Sequence, residues 1–182
     1  MSLFQPLNLR KWVEEHRDEL KPPVGNKQVW HDERENIVMV VGGPNARKDY
    51  HVNTTEEFFY QIEGDMVLRI IHPDTGKPHD IIIREGDIYL LPANIPHSPQ
   101  RAAGTVGVVV EIKRPAGATD KLQWYSDDTN ELVYEREFKL ENIDTDLKEI
   151  MTEFWGNEEL RTNKSTGSVI SPPEEAQAPP PA

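Results

Sequence analysis

At 182 residues the chain has room for one domain and a tail, with a single apolar core. A formal net charge of −12 opposes binding to nucleic acid or to an anionic membrane, since both need a basic face. No apolar run approaches the ~20 residues of a membrane helix, and the first residues lack the basic-then-apolar pattern of an export signal. A cytoplasmic protein with a small-molecule partner is expected. Cysteine is absent, which excludes disulfides, thiolate metal sites and cysteine nucleophiles; any metal must be held by imidazole and carboxylate.

In chain order, Asn8 is a helix N-cap, and Leu9, Trp12, Val13 and Leu20 share one face before Pro22 and Pro23 stop the helix. From Gln28 to about Lys113, short β-branched and apolar runs alternate with turn residues such as Gly42-Gly43-Pro44-Asn45, Gly64-Asp65 and Glu85-Gly86-Asp87. That texture predicts an all-β barrel or double-sheet sandwich. Leu147, Ile150, Met151 and Phe154 then recur at helical spacing behind Asp144 and Thr145, with Gly156 as the stop. We place one domain at 1–160. From Arg161 the composition turns polar and then proline-rich (Pro172 to Pro181), which predicts a disordered tail over 161–182. There is no internal repeat.

The chemistry concentrates at His51, Glu57 and His97. Strands that fold back on one another can bring three such residues together inside a barrel. Two imidazoles and one carboxylate on one face of a metal leave open positions opposite, a set suited to Fe(II) that must engage an organic substrate and dioxygen. Any one of the three alone reads as an ordinary polar residue. Their setting, however, resembles the cupin superfamily: Glu57 to Gly64 fits its first motif, and Gly86, Pro92 and His97 fit its second. Asn53 stands where many cupins have another histidine, leaving three protein ligands, and Asn94 replaces a glycine. The implied fold is a cupin, an all-β double-stranded β-helix or jelly roll, flanked by the two helices. His16, His31, His72 and His79 have no partner at ligand spacing, and the four tryptophans read as packing anchors.

The resemblance then narrows to the 3-hydroxyanthranilate 3,4-dioxygenase family, over Leu9 to about Phe154. It is carried by Lys21-Pro22-Pro23-Val24-Gly25-Asn26, Val41-Gly42-Gly43-Pro44-Asn45-Ala46-Arg47-Lys48-Asp49-Tyr50-His51, Glu56-Glu57-Phe58-Phe59-Tyr60-Gln61 and Pro96-His97-Ser98-Pro99-Gln100-Arg101. Membership implies an Fe(II)-dependent enzyme that opens the ring of 3-hydroxyanthranilate with O2 to give 2-amino-3-carboxymuconate semialdehyde. That product leads on to quinolinate and NAD synthesis, or serves catabolism of aromatic compounds. It further implies that Arg47 and Arg101 hold the substrate carboxylate and that Glu111 lies beside the ring hydroxyl as general base. Val24, Asn26, Phe59, Pro99, Gln100, Ile143 and Leu147 are implied as pocket-lining positions. The physical chemistry agrees, because a guanidinium fork matches a planar carboxylate, and a carboxylate at the end of the apolar strand Val106 to Val110 needs a positive partner or a proton. Arg47 or Arg101 is the expected partner.

Many members carry a second, rubredoxin-like iron site built from two Cys-x-x-Cys pairs. Here Ser126-Asp127-Asp128-Thr129 follows Trp124-Tyr125 where the first pair would start, so one iron per chain and no second iron are expected. A chain with room for one cupin domain suggests a homodimer. The His/Glu donor set by itself also suits a non-catalytic cupin binding module, or a cupin isomerase or other dioxygenase on Zn, Mn or Ni. The paired arginines with Glu111 argue for an aromatic carboxylate instead.

Overall fold

The computed structural model describes residues 5–21, 25–31, 35–141 and 145–181. Pro22, Pro23, Val24, Ile143 and Asp144 lie outside the described residues. Helix α1 (Leu9–His16) starts at Asn8, whose Oδ1 accepts from the Lys11 amide at 3.1 Å, and a 3-10 turn (Arg17–Leu20) extends it. Eleven strands follow: β1 (Asn26–Gln28), β2 (Asn36–Gly42), β3 (Asp49–Val52), β4 (Glu57–Glu63), β5 (Met66–Ile71), β6 (Pro78–Ile83), β7 (Ile88–Leu91), β8 (His97–Arg101), β9 (Val106–Ile112), β10 (Asp120–Tyr125) and β11 (Leu132–Phe138). Helices α2 (Asp146–Gly156) and α3 (Glu158–Arg161) come after them.

Every strand pairing is antiparallel, in two sheets ordered β1-β2-β9-β4-β7 and β11-β10-β3-β8-β5-β6. The crossovers between the sheets make the cupin jelly roll that the sequence predicts. Alternation along each strand sets which side chains face inward. Met39, Phe59 and Val109 join Met66, Leu68, Ile70, Ile83 and Leu91 in the barrel interior. Their neighbours Val40, Val106 and Val108 are buried outside, under Trp12 and Val13 of α1 and Leu20. Without α1, the outer face of the first sheet would be an exposed apolar surface.

A third apolar cluster docks α2 on the second sheet: Leu147, Ile150 and Phe154 meet Leu122 and Trp124. The Phe154 and Trp124 rings stack at 4.1 Å. Ile170, only 2 % exposed, completes this cluster, and the chain reaches it through a hairpin in which Thr162 bridges Val169. Ile170 thus packs against the domain from beyond the expected boundary at residue 160. A single apolar residue at the end of a polar stretch is enough to anchor the segment, and a reading of composition passes over it. Among the described residues no helix is long and apolar enough to cross a membrane.

One turn position bears on the site. Asn94, standing where the cupin pattern has glycine, adopts the left-handed conformation (φ +64°) that glycine adopts freely and asparagine tolerates better than most residues. Its amide donates to the Asn53 carbonyl at 2.7 Å, tying the loop before β8 to the loop after β3.

Candidate metal centre and active site

His51 and His97 are partners in the register of β3 with β8, so both imidazoles project from one sheet. Glu57 opens β4 in the facing sheet. The donor atoms of all three lie within 4.8 Å of one another, and all three residues are buried. Glu57 Oε1 is 3.1 Å from His97 Nε2 and 3.8 Å from His51 Nδ1. The other ring nitrogen of each histidine is engaged elsewhere: His51 Nε2 contacts Asp120 Oδ2 at 2.7 Å, and His97 Nδ1 contacts the Ile95 carbonyl at 2.9 Å. Such outer contacts fix ring orientation and leave one nitrogen aimed at a metal. Asn53 Nδ2 donates to Glu57 Oε1 at 3.0 Å, while Asn53 Oδ1 accepts from the amide and hydroxyl of Thr55. The residue that replaces a family histidine thus holds the carboxylate in place. Two imidazole nitrogens and a carboxylate oxygen, converging and braced from behind, fit a single divalent metal.

Titration follows from this crowding. Burial and the nearby Glu57 charge push Glu111 up to about 7, against the pull of Arg114. Burial opposes ionisation of Glu57, but the two histidines and Asn53 outweigh it and hold the carboxyl below its usual range. For His51, burial dominates and lowers the imidazole.

A cavity of about 310 Å³ opens beside these groups, of a size for a small aromatic acid. Its wall shows the period of two: His97, Pro99 and Arg101 line it from β8, Glu57 and Phe59 from β4, and Val109 and Glu111 from β9. Arg47, Asn26 and Leu147 line it too. Gln100 does not. It faces away from the cavity and grips the main chain of Arg47, donating from Nε2 to the Arg47 carbonyl at 2.9 Å and accepting from the Arg47 amide at 3.2 Å. Val24 and Ile143 lie outside the described residues.

The two arginines differ. Arg47 is ion-paired with Asp49, whose oxygens its Nε meets at 3.1 and 3.2 Å. Among the described residues Arg101, 1 % exposed, has one side-chain partner: Nη1 donates to the neutral amide oxygen of Gln61 at 2.9 Å, and Nε has none. Burial brings its pKa down to about 10, so it stays charged at neutral pH. Neither arginine is the partner of Glu111. That role falls to Arg114, whose Nη1 donates to Glu111 Oε2 at 2.7 Å while its Nε and Nη2 hold Asp120 at 3.0 and 2.7 Å. Arg114 and Asp120 were not legible as site residues. Both sit around the turn between β9 and β10, and only strand pairing (Leu122 with His51) swings that turn behind the metal group.

A jelly-roll barrel with a buried His/Glu/His group at its wall and a cavity beside it defines a mononuclear metal cupin. The family model described as 3-hydroxyanthranilic acid dioxygenase matches residues 1–155. The chain is 49 % identical over 165 residues to the 3-hydroxyanthranilate 3,4-dioxygenase of Neurospora crassa, covering 91 % of this chain and 89 % of that one. It is 49 % identical over 172 residues to the enzyme of that name from Xanthomonas campestris pv. campestris, covering 94 % and 96 %, and 46 % identical over 178 residues to the one from Ruegeria pomeroyi, covering 96 % and 97 %. The chain belongs to the 3-hydroxyanthranilic acid dioxygenase family.

Proposed function

We propose that the chain is an Fe(II)-dependent 3-hydroxyanthranilate 3,4-dioxygenase that converts 3-hydroxyanthranilate and O2 to 2-amino-3-carboxymuconate semialdehyde. The observation that carries this reading is the meeting of the His51, Glu57, His97 group with a buried, uncompensated Arg101 across one small cavity. Those three side chains would hold ferrous iron, which would supply the redox link between an electron-rich ring and ground-state dioxygen.

The chain's own residues do the rest. Arg101 and Arg47 hold the substrate carboxylate and so orient the ring, converting binding energy into position. Phe59, Met39 and Val109 give the ring an apolar bed and exclude water. Glu111 takes the proton of the ring hydroxyl at Oε1, since Oε2 is occupied by Arg114. Asn26 and Leu147 line the cavity as substrate contacts, with Pro99 beside Arg101. Arg101→Ala removes a charge-assisted contact and is expected to raise KM for 3-hydroxyanthranilate by about tenfold or more. Steady-state kinetics on the iron-loaded variant tests this, and an unchanged KM would remove the carboxylate role.

One iron per chain is the proposed content, supported by the absence of cysteine. Where the resemblance places the first cysteine pair, Ser126 and Thr129 join a hydrogen-bonded network instead: Ser126 Oγ meets Ser168 Oγ at 3.4 Å, and Thr129 Oγ1 accepts from Asn163 Nδ2 at 3.3 Å. A cytoplasmic homodimer serving quinolinate and NAD synthesis, or catabolism of aromatic compounds, completes the proposal.

A further inference from the structure

Gln61 lies 1 % exposed on the inward face of β4, two residues beyond Phe59 and four beyond Glu57. Nothing in the resemblance gave it a part. Its amide is held from one side, Nε2 donating to the Glu63 carbonyl at 3.1 Å, which turns Oε1 toward Arg101 Nη1 at 2.9 Å. The residue opposite Gln61 in the register of β4 with β9 is Gly107. A Cβ there would lie 2.7 Å from Gln61 Oε1 and 2.9 Å from Arg101 Nη1, so the close approach of amide and guanidinium requires glycine at 107. Three elements, β4, β8 and β9, thus combine to seat one arginine.

The chemistry of the acceptor matters more than its presence. A buried guanidinium is ordinarily met by a carboxylate, as Asp49 meets Arg47 and Asp120 meets Arg114. At Arg101 the acceptor is an amide, which fixes the direction of the guanidinium and cancels none of its charge. The cost of burying that charge is then recovered only when an anion enters the cavity.

We infer that Gln61 is a positioning and specificity-determining residue: by seating Arg101 through a neutral amide it reserves the positive charge for the carboxylate of the substrate and makes the site discriminate against the same ring without one. This deepens the dioxygenase reading and rests on it.

The test compares 3-hydroxyanthranilate with 2-aminophenol, the same ring lacking the carboxylate, by anaerobic equilibrium binding to the iron-loaded protein and by KM and kcat for each. In Gln61→Glu a carboxylate would neutralise Arg101 internally. Affinity for 3-hydroxyanthranilate is expected to fall by about 10- to 100-fold, with that for 2-aminophenol unchanged. Gln61→Met keeps the volume and removes the acceptor without adding charge; it is expected to give a smaller loss, confined to the carboxylated ligand. If Gln61→Glu fails to show a native circular dichroism spectrum, Gln61→Met carries the test alone. Equal effects on the two ligands, or no effect on either, would overturn the inference and leave Gln61 as packing. A wild-type protein that does not bind 3-hydroxyanthranilate would instead sink the function itself, whatever Gln61 does.

Discussion

Asp120 is met on two sides, by His51 Nε2 at 2.7 Å and by Arg114 Nη2 at 2.7 Å. Its charge holds the His51 ring in orientation and raises the basicity of the nitrogen that faces the metal, while Arg114 carries the constraint on to Glu111. Asp120→Asn is expected to weaken metal affinity by about 10- to 100-fold, the usual cost of losing such an outer contact. Equilibrium dialysis against Fe(II) checks it, and unchanged affinity would show that the ring is held by packing alone. The candidate ligands His51, Glu57 and His97 could be picked out because their spacing repeats a motif. Asp120, Arg114 and Gln61 were not, because each acts through a partner brought near only by strand register. The same limit explains why Arg114, and not Arg47 or Arg101, is the partner of Glu111. It lies three residues along the chain from Glu111, yet its role appears only once the turn before β10 is folded back.

Among the elements, the start of α1 at its Asn8 cap, the helical period of α2 and the β character of 28–113 could be read directly, since caps, period and alternation are local signals; Thr145, expected as a cap for α2, makes no side-chain cap hydrogen bond. The packing of Ile170 could not be read directly. The Ile170 amide donates to the Arg161 carbonyl at 2.9 Å, Arg161 Nη1 donates to the Ile170 carbonyl at 3.0 Å, and the Ile170 side chain closes the cluster under α2. Truncation after residue 160 is expected to cost about 2 kcal/mol or more through loss of that buried side chain, a fall in Tm of about 4–8 °C. Truncation after residue 171 should leave Tm unchanged. Differential scanning calorimetry on both separates an anchored segment from a passive tail, and equal Tm values would leave the boundary at 160.

The whole molecule carries an excess of acid, and several carboxylates are tied to specific donors. Asp65 accepts from the Glu85 amide at 2.9 Å and from Arg84 at 2.7 Å; the amide first, and the guanidinium with it, hold its carboxyl below the ordinary range. A carboxylate whose pKa is lower folded than unfolded stabilises the fold above its unfolded value of about 3.9, and that contribution is lost as pH falls through the folded value. Asp65→Asn should therefore melt below the wild type at pH 7, and the gap should close as pH drops below about 4. A gap independent of pH would show that the carboxylate's charge contributes nothing. The cupin architecture was legible at this scale because two motifs anchor both sheets, as was the packing of the first helix on the domain; that α1 covers the outer face of the first sheet while α2 packs on Leu122 and Trp124, on the His51 side of the second, was not.

On the proposed function, one iron on His51, Glu57 and His97 makes this barrel a ring-opening dioxygenase. Oxygen uptake by anaerobically Fe(II)-loaded protein on addition of 3-hydroxyanthranilate, with the near-ultraviolet absorbance of the semialdehyde followed alongside, tests it most directly. Uptake equal to the substrate consumed, and abolished by chelation of the iron, is the result expected. No uptake from protein with iron demonstrably bound would contradict it.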